Sequence, residues 1–365
     1  MKVPFFRYDW FFQENRNDIM PKLDEIMSSG RYVNGEYTSK LEEKLAEICK
    51  RKYAVTTGSC TDALFFALTT AGIKQGDEVI LPPFSFVATL DSVLRCGAVP
   101  IFVDISTEHY MLDVAKLEEA VTPRTKAIVL VQLFGNCHPQ QKQIREIAQR
   151  HGIPLIEDAA QAIGAKDNDI HAGKIGDISC ISFDPTKLVS AYGTGGAVLT
   201  DNEEEYSMLK KLANHGLENG VPQIAGYNSK IAETQAATIL AQIEKLPQTI
   251  ARMNEVAEKY MSQLKNVDKI TLPTKCCTLS NFHKFVIRTE KRDELRKFLK
   301  DNGIETKIHY PTLLSEQKIL EGRKFLKHNL ANTEKAAQEV ISLPIWPSIT
   351  DAEISYICES IKMFL

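Results

Sequence analysis

"KAIVLVQLFGNCHPQQKQIREIAQRHGIPLIED", Lys126–Asp158, reads as strand, helix, strand. "KAIVLVQ" and "IPLIED" are short apolar runs of strand length, and "QKQIREIAQRHG" between them is helix-like. Two apolar strands joined through a helix make a parallel βαβ unit. The same alternation extends towards the N-terminus, where "KYAVTT", "DEVILP" and "AVPIFVD" are interleaved with helical segments such as "TDALFFALTTAG". An α/β fold with a large, mostly parallel sheet follows. A chain of 365 residues exceeds what one core usually covers, so two domains are expected. The large one is placed at residues 1–240 and a smaller α+β one at 241–365. A long helical stretch, "AETQAATILAQIEKLPQTIARMNEVAEKYMSQL", is interrupted at Pro247 and leads into the second. There "NFHKFVIRT" reads as a strand, "KRDELRKFLKDNG" as a helix closing at Gly303, and "DAEISYICESIKMFL" as a terminal amphipathic helix. The N-terminal helix "NDIMPKLDEIMSSG" fits on either domain.

Composition narrows the function classes. A net charge of -3 argues against a nucleic-acid surface, which needs a clustered basic excess. No apolar run is long enough to span a bilayer, and charges interrupt the opening "MKVPFFRYDWFF", so a soluble cytoplasmic protein without membrane partners is expected. The eight cysteines are scattered without a C-x-x-C pair, which indicates neither a zinc site nor a disulfide framework.

Chemistry concentrates at strand ends. In "SFDPTKLVSAYGTGGAVLTDN", Ser182–Asn202, Lys187 follows the apolar strand "DISCIS" and precedes a glycine-rich turn. In open α/β sheets the carboxyl ends of strands form the ligand crevice, and an amine partly desolvated there has a lowered pKa and attacks carbonyls. A solvated loop lysine is the plain alternative. "IPLIED" ends in Glu157 and Asp158. Asp158 suits either a helix N-cap before "AAQAIG" or a carboxylate facing the ring nitrogen of a pyridine cofactor. In "YAVTTGSCTDALFFALTTAG" a strand passes through Gly58 and Ser59 into a helix starting near Thr61. That N-terminus is either a phosphate cradle or a simply capped helix.

Together these segments, with "SSGRYVNGEYTSKLEEKLAEI", "GDEVILPPFSFVATLDSVLRCGAVPIFVDI", "GYNSKIAETQAA", "IHYPTLL" and "ISLPIWPSITDAEI", resemble the DegT/DnrJ/EryC1/StrS family of pyridoxal phosphate-dependent sugar aminotransferases over almost the whole chain. The resemblance implies a fold-type-I transferase with pyridoxal 5'-phosphate as cofactor. It implies that Lys187 forms the Schiff base, that Asp158 pairs with the pyridinium nitrogen, and that Gln161 lies near the ring oxygen. Ser182, the Cys60 N–H and Thr61 would hold the phosphate, Phe86 would stack on the ring, and Asn228 would reach the phosphate of a neighbouring subunit in a homodimer with shared active sites. Lys230 and His309 would border the substrate. Three positions depart from the family pattern: Cys60 stands where many members have Gly or Ala, Thr194 where many have Asp or Glu, and Lys230 where arginine is usual. Lysine keeps the charge but loses bidentate reach.

The implied reaction moves the amino group of L-glutamate, leaving 2-oxoglutarate, to a nucleotide-linked keto-deoxysugar. "SCTDALFFAL" is closer to members acting at C3 than at C4. Alternatives are a cofactor-binding sensor or scaffold without turnover, and an aminotransferase for another keto sugar. A nicotinamide enzyme is disfavoured because no G-x-G-x-x-G follows the first strand. No metal is called for. The acids of "DNEEEY" suit a solvated helix start, His171 in "DNDIHAGKIGD" a polar hairpin, and His215 a helix C-terminus.

Overall fold

The computed structural model describes all residues, 1–365. Its strands are β1 (Tyr53–Thr57), β2 (Glu78–Leu81), β3 (Val99–Phe102), β4 (Thr125–Val131), β5 (Leu155–Asp158), β6 (Ile178–Ser182), β7 (Gly196–Thr200), β8 (Phe285–Arg288), β9 (Leu326–Lys327) and β10 (Val340–Leu343), with two-residue hairpins besides. Eight of them form one sheet in the order β1-β7-β6-β5-β4-β2-β3-β9. Only β7 runs antiparallel to its neighbours. The central strands β2, β5 and β6 are buried along their whole length, which is why they read as continuous apolar runs instead of alternating ones.

The helices are α1 (Trp10–Ser29), α2 (Glu36–Ile48), α3 (Cys60–Thr70), α4 (Val87–Arg95), α5 (Val114–Ala120), α6 (Gln141–His151), α7 (Glu203–Ala213), α8 (Glu233–Glu244), α9 (Leu246–Leu264), α10 (Arg292–Asp301), α11 (Ala331–Glu339) and α12 (Asp351–Phe364). The βαβ unit of the opening segment is β4, α6, β5, with α6 closed by Gly152 at φ 63°. The helical stretch broken at Pro247 is α8 and α9, with the proline in the first turn of α9, where its missing N–H costs nothing. The N-terminal helix starts upstream of the expected segment, at Trp10, and carries Pro21 inside it; it packs on α8.

Beyond α9, β8 and β10 pair antiparallel, with α10 and α12 packed nearby. Residues 326–327, well past position 240, add a strand to the edge of the large sheet beside β3. The extreme N-terminus also crosses over: Val3 bridges Ile304, and its N–H donates to Gly303 O at 2.9 Å. One apolar cluster therefore runs from Val3 and α1 through α8 and α9 to α12. No helix is long and apolar enough to cross a membrane. His171 lies in a two-residue hairpin and "DNEEEY" opens α7 behind the Asn202 cap, as the sequence indicates.

Candidate active site

The carboxyl ends of β5 and β6 and the start of α3 open into a cavity of about 490 Å³. Lys187 leaves β6 through a turn in which its own N–H donates to Asp184 O at 2.9 Å. Its side chain is half-buried and faces the cavity. Burial lowers its pKa, partly opposed by Cys60, Asp158 and Asp184. A half-buried lysine facing a cavity differs from a solvated loop residue, and a lowered pKa leaves more of its amine unprotonated.

The two acids that end β5 part company because successive strand residues face opposite sides. Glu157 is fully buried and accepts from Gln132 Nε2 (2.9 Å), Gly173 N (2.9 Å), Ile175 N (3.1 Å), Gly176 N (3.3 Å) and Ser179 Oγ (2.8 Å). Its acceptor capacity is spent within the protein. Asp158 lines the cavity and accepts only from Thr89 Oγ1 at 2.9 Å and Ala160 N at 3.2 Å. Turns rather than a helix follow it, so the N-cap alternative falls away. Burial raises its pKa against the pull of those donors and of Lys187. A buried carboxylate in that condition gains most from a cationic N–H partner.

At the start of α3 the Ser59 side chain accepts from Asp62 N at 3.1 Å. The N–H groups of Cys60 and Thr61, the first two of the helix, have no intrahelical acceptor. Ser59, Cys60, Thr61 and Ser182 all line the cavity. Gly196 in β7 pairs with Thr57 on one side and Ser182 on the other. A Cβ there would lie 2.5 Å from Cys60 N and 2.6 Å from Ser59 C, so the close approach that builds this cradle requires glycine.

Phe84 and Phe86 divide the two roles open to an aromatic after the paired prolines. Phe84 is in the core, whereas Phe86 is 57% exposed, caps α4 and lines the cavity. Gln161 lines it as well, with Oε1 accepting from Phe134 N at 2.9 Å and Nε2 donating to Tyr310 Oη at 2.8 Å. His309 shares the wall; its Nδ1 lies 2.8 Å from Ser342 Oγ. Burial and the nearby lysines 284, 307 and 187 push its pKa down to about 3, so the ring is neutral. Asn228 and Lys230 are not brought into this cavity. Asn228 is exposed and bridges Asn214, and Lys230 Nζ donates to Asn214 Oδ1 at 3.2 Å.

The donor set fits pyridoxal 5'-phosphate: free N–H groups and a hydroxyl for the phosphate, Asp158 for the ring nitrogen, an exposed aromatic face in Phe86, and Lys187 for the aldehyde carbon. A model of the DegT/DnrJ/EryC1/StrS aminotransferase family matches residues 13–362. The chain belongs to this family. Among relatives, a "Pleiotropic regulatory protein" of Geobacillus stearothermophilus is 37% identical over 100% of this chain and 99% of its own. A UDP-2-acetamido-2-deoxy-3-oxo-D-glucuronate aminotransferase of Pseudomonas aeruginosa is 36% identical over 93% of this chain and 94% of its own. The structure of S. venezuelae DesV superposes with a TM-score of 0.95 at 33% identity, covering 100% of this chain and 98% of that one. The chain is a pyridoxal phosphate-dependent sugar aminotransferase of the α/β fold-type-I class.

Several cavity residues escape sequence reasoning: Thr89, His283, Lys284, Lys307 and Tyr310, together with Phe5, Phe6 and Tyr8 of the N-terminal segment. Only His283 and Lys284 leave a trace in the sequence, two polar residues set between Phe282 and the apolar "FVI". The rest arrive through tertiary contacts that no local pattern announces.

Proposed function

We propose that the enzyme transfers the amino group of L-glutamate to the C3 ketone of a nucleotide-linked deoxysugar. The observation that carries this reading is Lys187 facing Asp158 across one cavity, within a chain more than a third identical to a 3-oxo-sugar nucleotide aminotransferase. Bound pyridoxal phosphate supplies an electron sink and a temporary amino carrier. The protein supplies the rest. Asp158 keeps a positive charge on the ring nitrogen. Lys187 Nζ would take the proton from the α-carbon of glutamate and deliver one to the sugar carbon in the second half-reaction. The test runs the halves separately. Glutamate alone should convert the bound cofactor to its amino form, and the holoenzyme with 2-oxoglutarate and 3-amino or 4-amino nucleotide sugars should run in reverse. Reaction with the 4-amino set alone moves the assignment to C4. Reaction with neither, while free amino sugars or amino acids react, removes the nucleotide sugar; no conversion by glutamate leaves a cofactor-binding scaffold.

The working unit in this reading is a homodimer whose sites are shared. Asn228 is exposed and outside its own cavity, as a residue serving the partner's phosphate should be. Mixing Lys187→Ala subunits with Asn228→Ala subunits, each inactive alone, should restore part of the activity, because one site of each heterodimer is intact. No recovery despite measured subunit exchange places the function of Asn228 within its own chain.

A further inference from the structure

The cavity holds more positive charge than the cofactor uses. Lys187 is committed to the Schiff base, and the phosphate cradle is made of backbone N–H groups and hydroxyls. Two lysines remain. Lys284 is only 7% exposed and lines the cavity, and no protein carboxylate pairs with it. Its Nζ and that of the more exposed Lys307 lie 5.4 Å and 5.0 Å from the centroid of the Phe5 ring, an attraction that offsets only part of the hydration the buried Lys284 has lost. The backbone positions both: Lys284 N donates to Phe134 O at 3.3 Å, and Lys307 exchanges hydrogen bonds with Ser342 at 2.8 Å and 3.3 Å. Their only acidic neighbour in the cavity wall besides Asp158 is Asp184, which accepts instead from Thr186 Oγ1 at 2.7 Å and Thr186 N at 2.9 Å. Burial and the charges of Lys187 and Lys307 lower the pKa of Lys284, opposed by Asp184. Lys284 enters the cavity from the segment before β8, not from the start of α3 or the end of β6 that form the phosphate cradle.

We propose that Lys284 and Lys307, gathered around Phe5, form a second anion subsite that binds a carboxylate of the substrate, apart from the cofactor phosphate. A buried ammonium without a partner is costly, and an arriving carboxylate supplies the partner. The inference rests on the aminotransferase reading, in which two sources of that group are available: the amino donor and an acidic substituent on the sugar.

The experiment measures binding by calorimetry on the holoenzyme with ligands that carry no amine or ketone and so cannot react. Glutarate stands for the donor; UDP-glucuronate and UDP-glucose differ only in the sugar carboxylate. Lys284→Met should weaken glutarate, or the UDP-glucuronate preference over UDP-glucose, by at least about tenfold, with UDP-glucose changed less than about twofold. Lys307→Met should do the same to a smaller extent, and Lys284→Arg should restore most of the loss. The arm that moves names the source. Lys284→Gln repeats the test should the methionine variant not fold. Equal weakening of UDP-glucose and UDP-glucuronate, or no acid-specific loss in either arm, overturns the subsite. Because none of these ligands turns over, a failure to aminate sugar nucleotides sinks the functional reading without altering the binding result.

Discussion

The two walls of the cavity are built on different terms. The sheet wall, from β5, β6 and the start of α3, sets its groups by regular backbone: Asp158 by strand alternation, Cys60 and Thr61 by a helix start, Ser182 by the register against Gly196. The facing wall, from residues 283–284, 307–310 and the strap around Phe5, is irregular. It holds lysines without carboxylates and a histidine pushed down to a pKa of about 3. A resident cofactor needs fixed donors in advance. Ligands that come and go are met by groups that stay unsatisfied until the ligand arrives, and the protein bears that cost in the empty state.

The largest effect expected is at Lys187. Lys187→Ala should lower turnover by at least about 10²–10⁴-fold, the usual worth of a proton-transfer group, and remove the borohydride-fixed cofactor from the tryptic peptide containing residue 187. Label on another lysine breaks the assignment of the sheet wall. Asp158→Asn comes next, slowing the glutamate half-reaction by about 10²–10³-fold, as loss of one aimed electrostatic group does. The apoprotein should respond in the opposite sense. The pKa of Asp158 is raised above 3.8 in the folded state, so its contribution is fully present below pH 3.8 and is lost as pH rises through the raised value. Apo Asp158→Asn should accordingly gain in Tm relative to wild type between pH 4 and pH 8, and equal Tm differences at both would contradict the burial argument.

On the irregular wall the effects are smaller. His309→Gln on this wall, and Lys230→Ala outside this chain's cavity, should raise KM for the sugar nucleotide about three- to tenfold, with less change for glutamate, because lost uniform binding appears in KM. The His309 effect should be the lesser, since a neutral ring offers a hydrogen bond without charge. A fall in kcat instead would place either residue in the chemistry. Smallest of all, Lys284→Met should raise the Tm of the apoprotein by about 2 °C. The folded pKa of Lys284 is lowered from 10.5, so the unfolded chain binds more protons and the penalty fades as pH rises towards 10.5. The Tm gap should narrow over that range, with Lys187, Lys307, His283, His309 and Asp184 facing Lys284 in both proteins.

The contrast between the walls also explains what the sequence made legible. Strand runs such as "KAIVLVQ" and caps such as Ser59 are local, so β4, β5, α3 and the positions of Lys187 and Asp158 follow from periodicity and turn chemistry. An aromatic beside paired prolines suits core and cavity alike, and only the fold separates the buried Phe84 from the exposed Phe86. Lys307 and Tyr310 flank His309, which only the family resemblance marks, and Lys284 leaves no more than a lone charge before the strand "FVI". The crossing of Val3 to Ile304 and the late strand at residues 326–327 were hidden because neither short segment carries a strand-length pattern.

The five donors to Glu157 come from Gln132, Gly173, Ile175, Gly176 and Ser179, all within a short span of chain around it. Closing loops of that size costs little chain entropy, and contacts of low sequence separation form early. As the polypeptide leaves the ribosome, the end of β5 can be locked, with Asp158 already aimed, before Lys284 and Lys307 have been synthesised. The scaffold for the cofactor is then a template on which the later segments close. Pulse-labelled hydrogen exchange during refolding should find the amides of Gly173 and Ile175 protected ahead of that of Val286, and the reverse order would show that both walls assemble together.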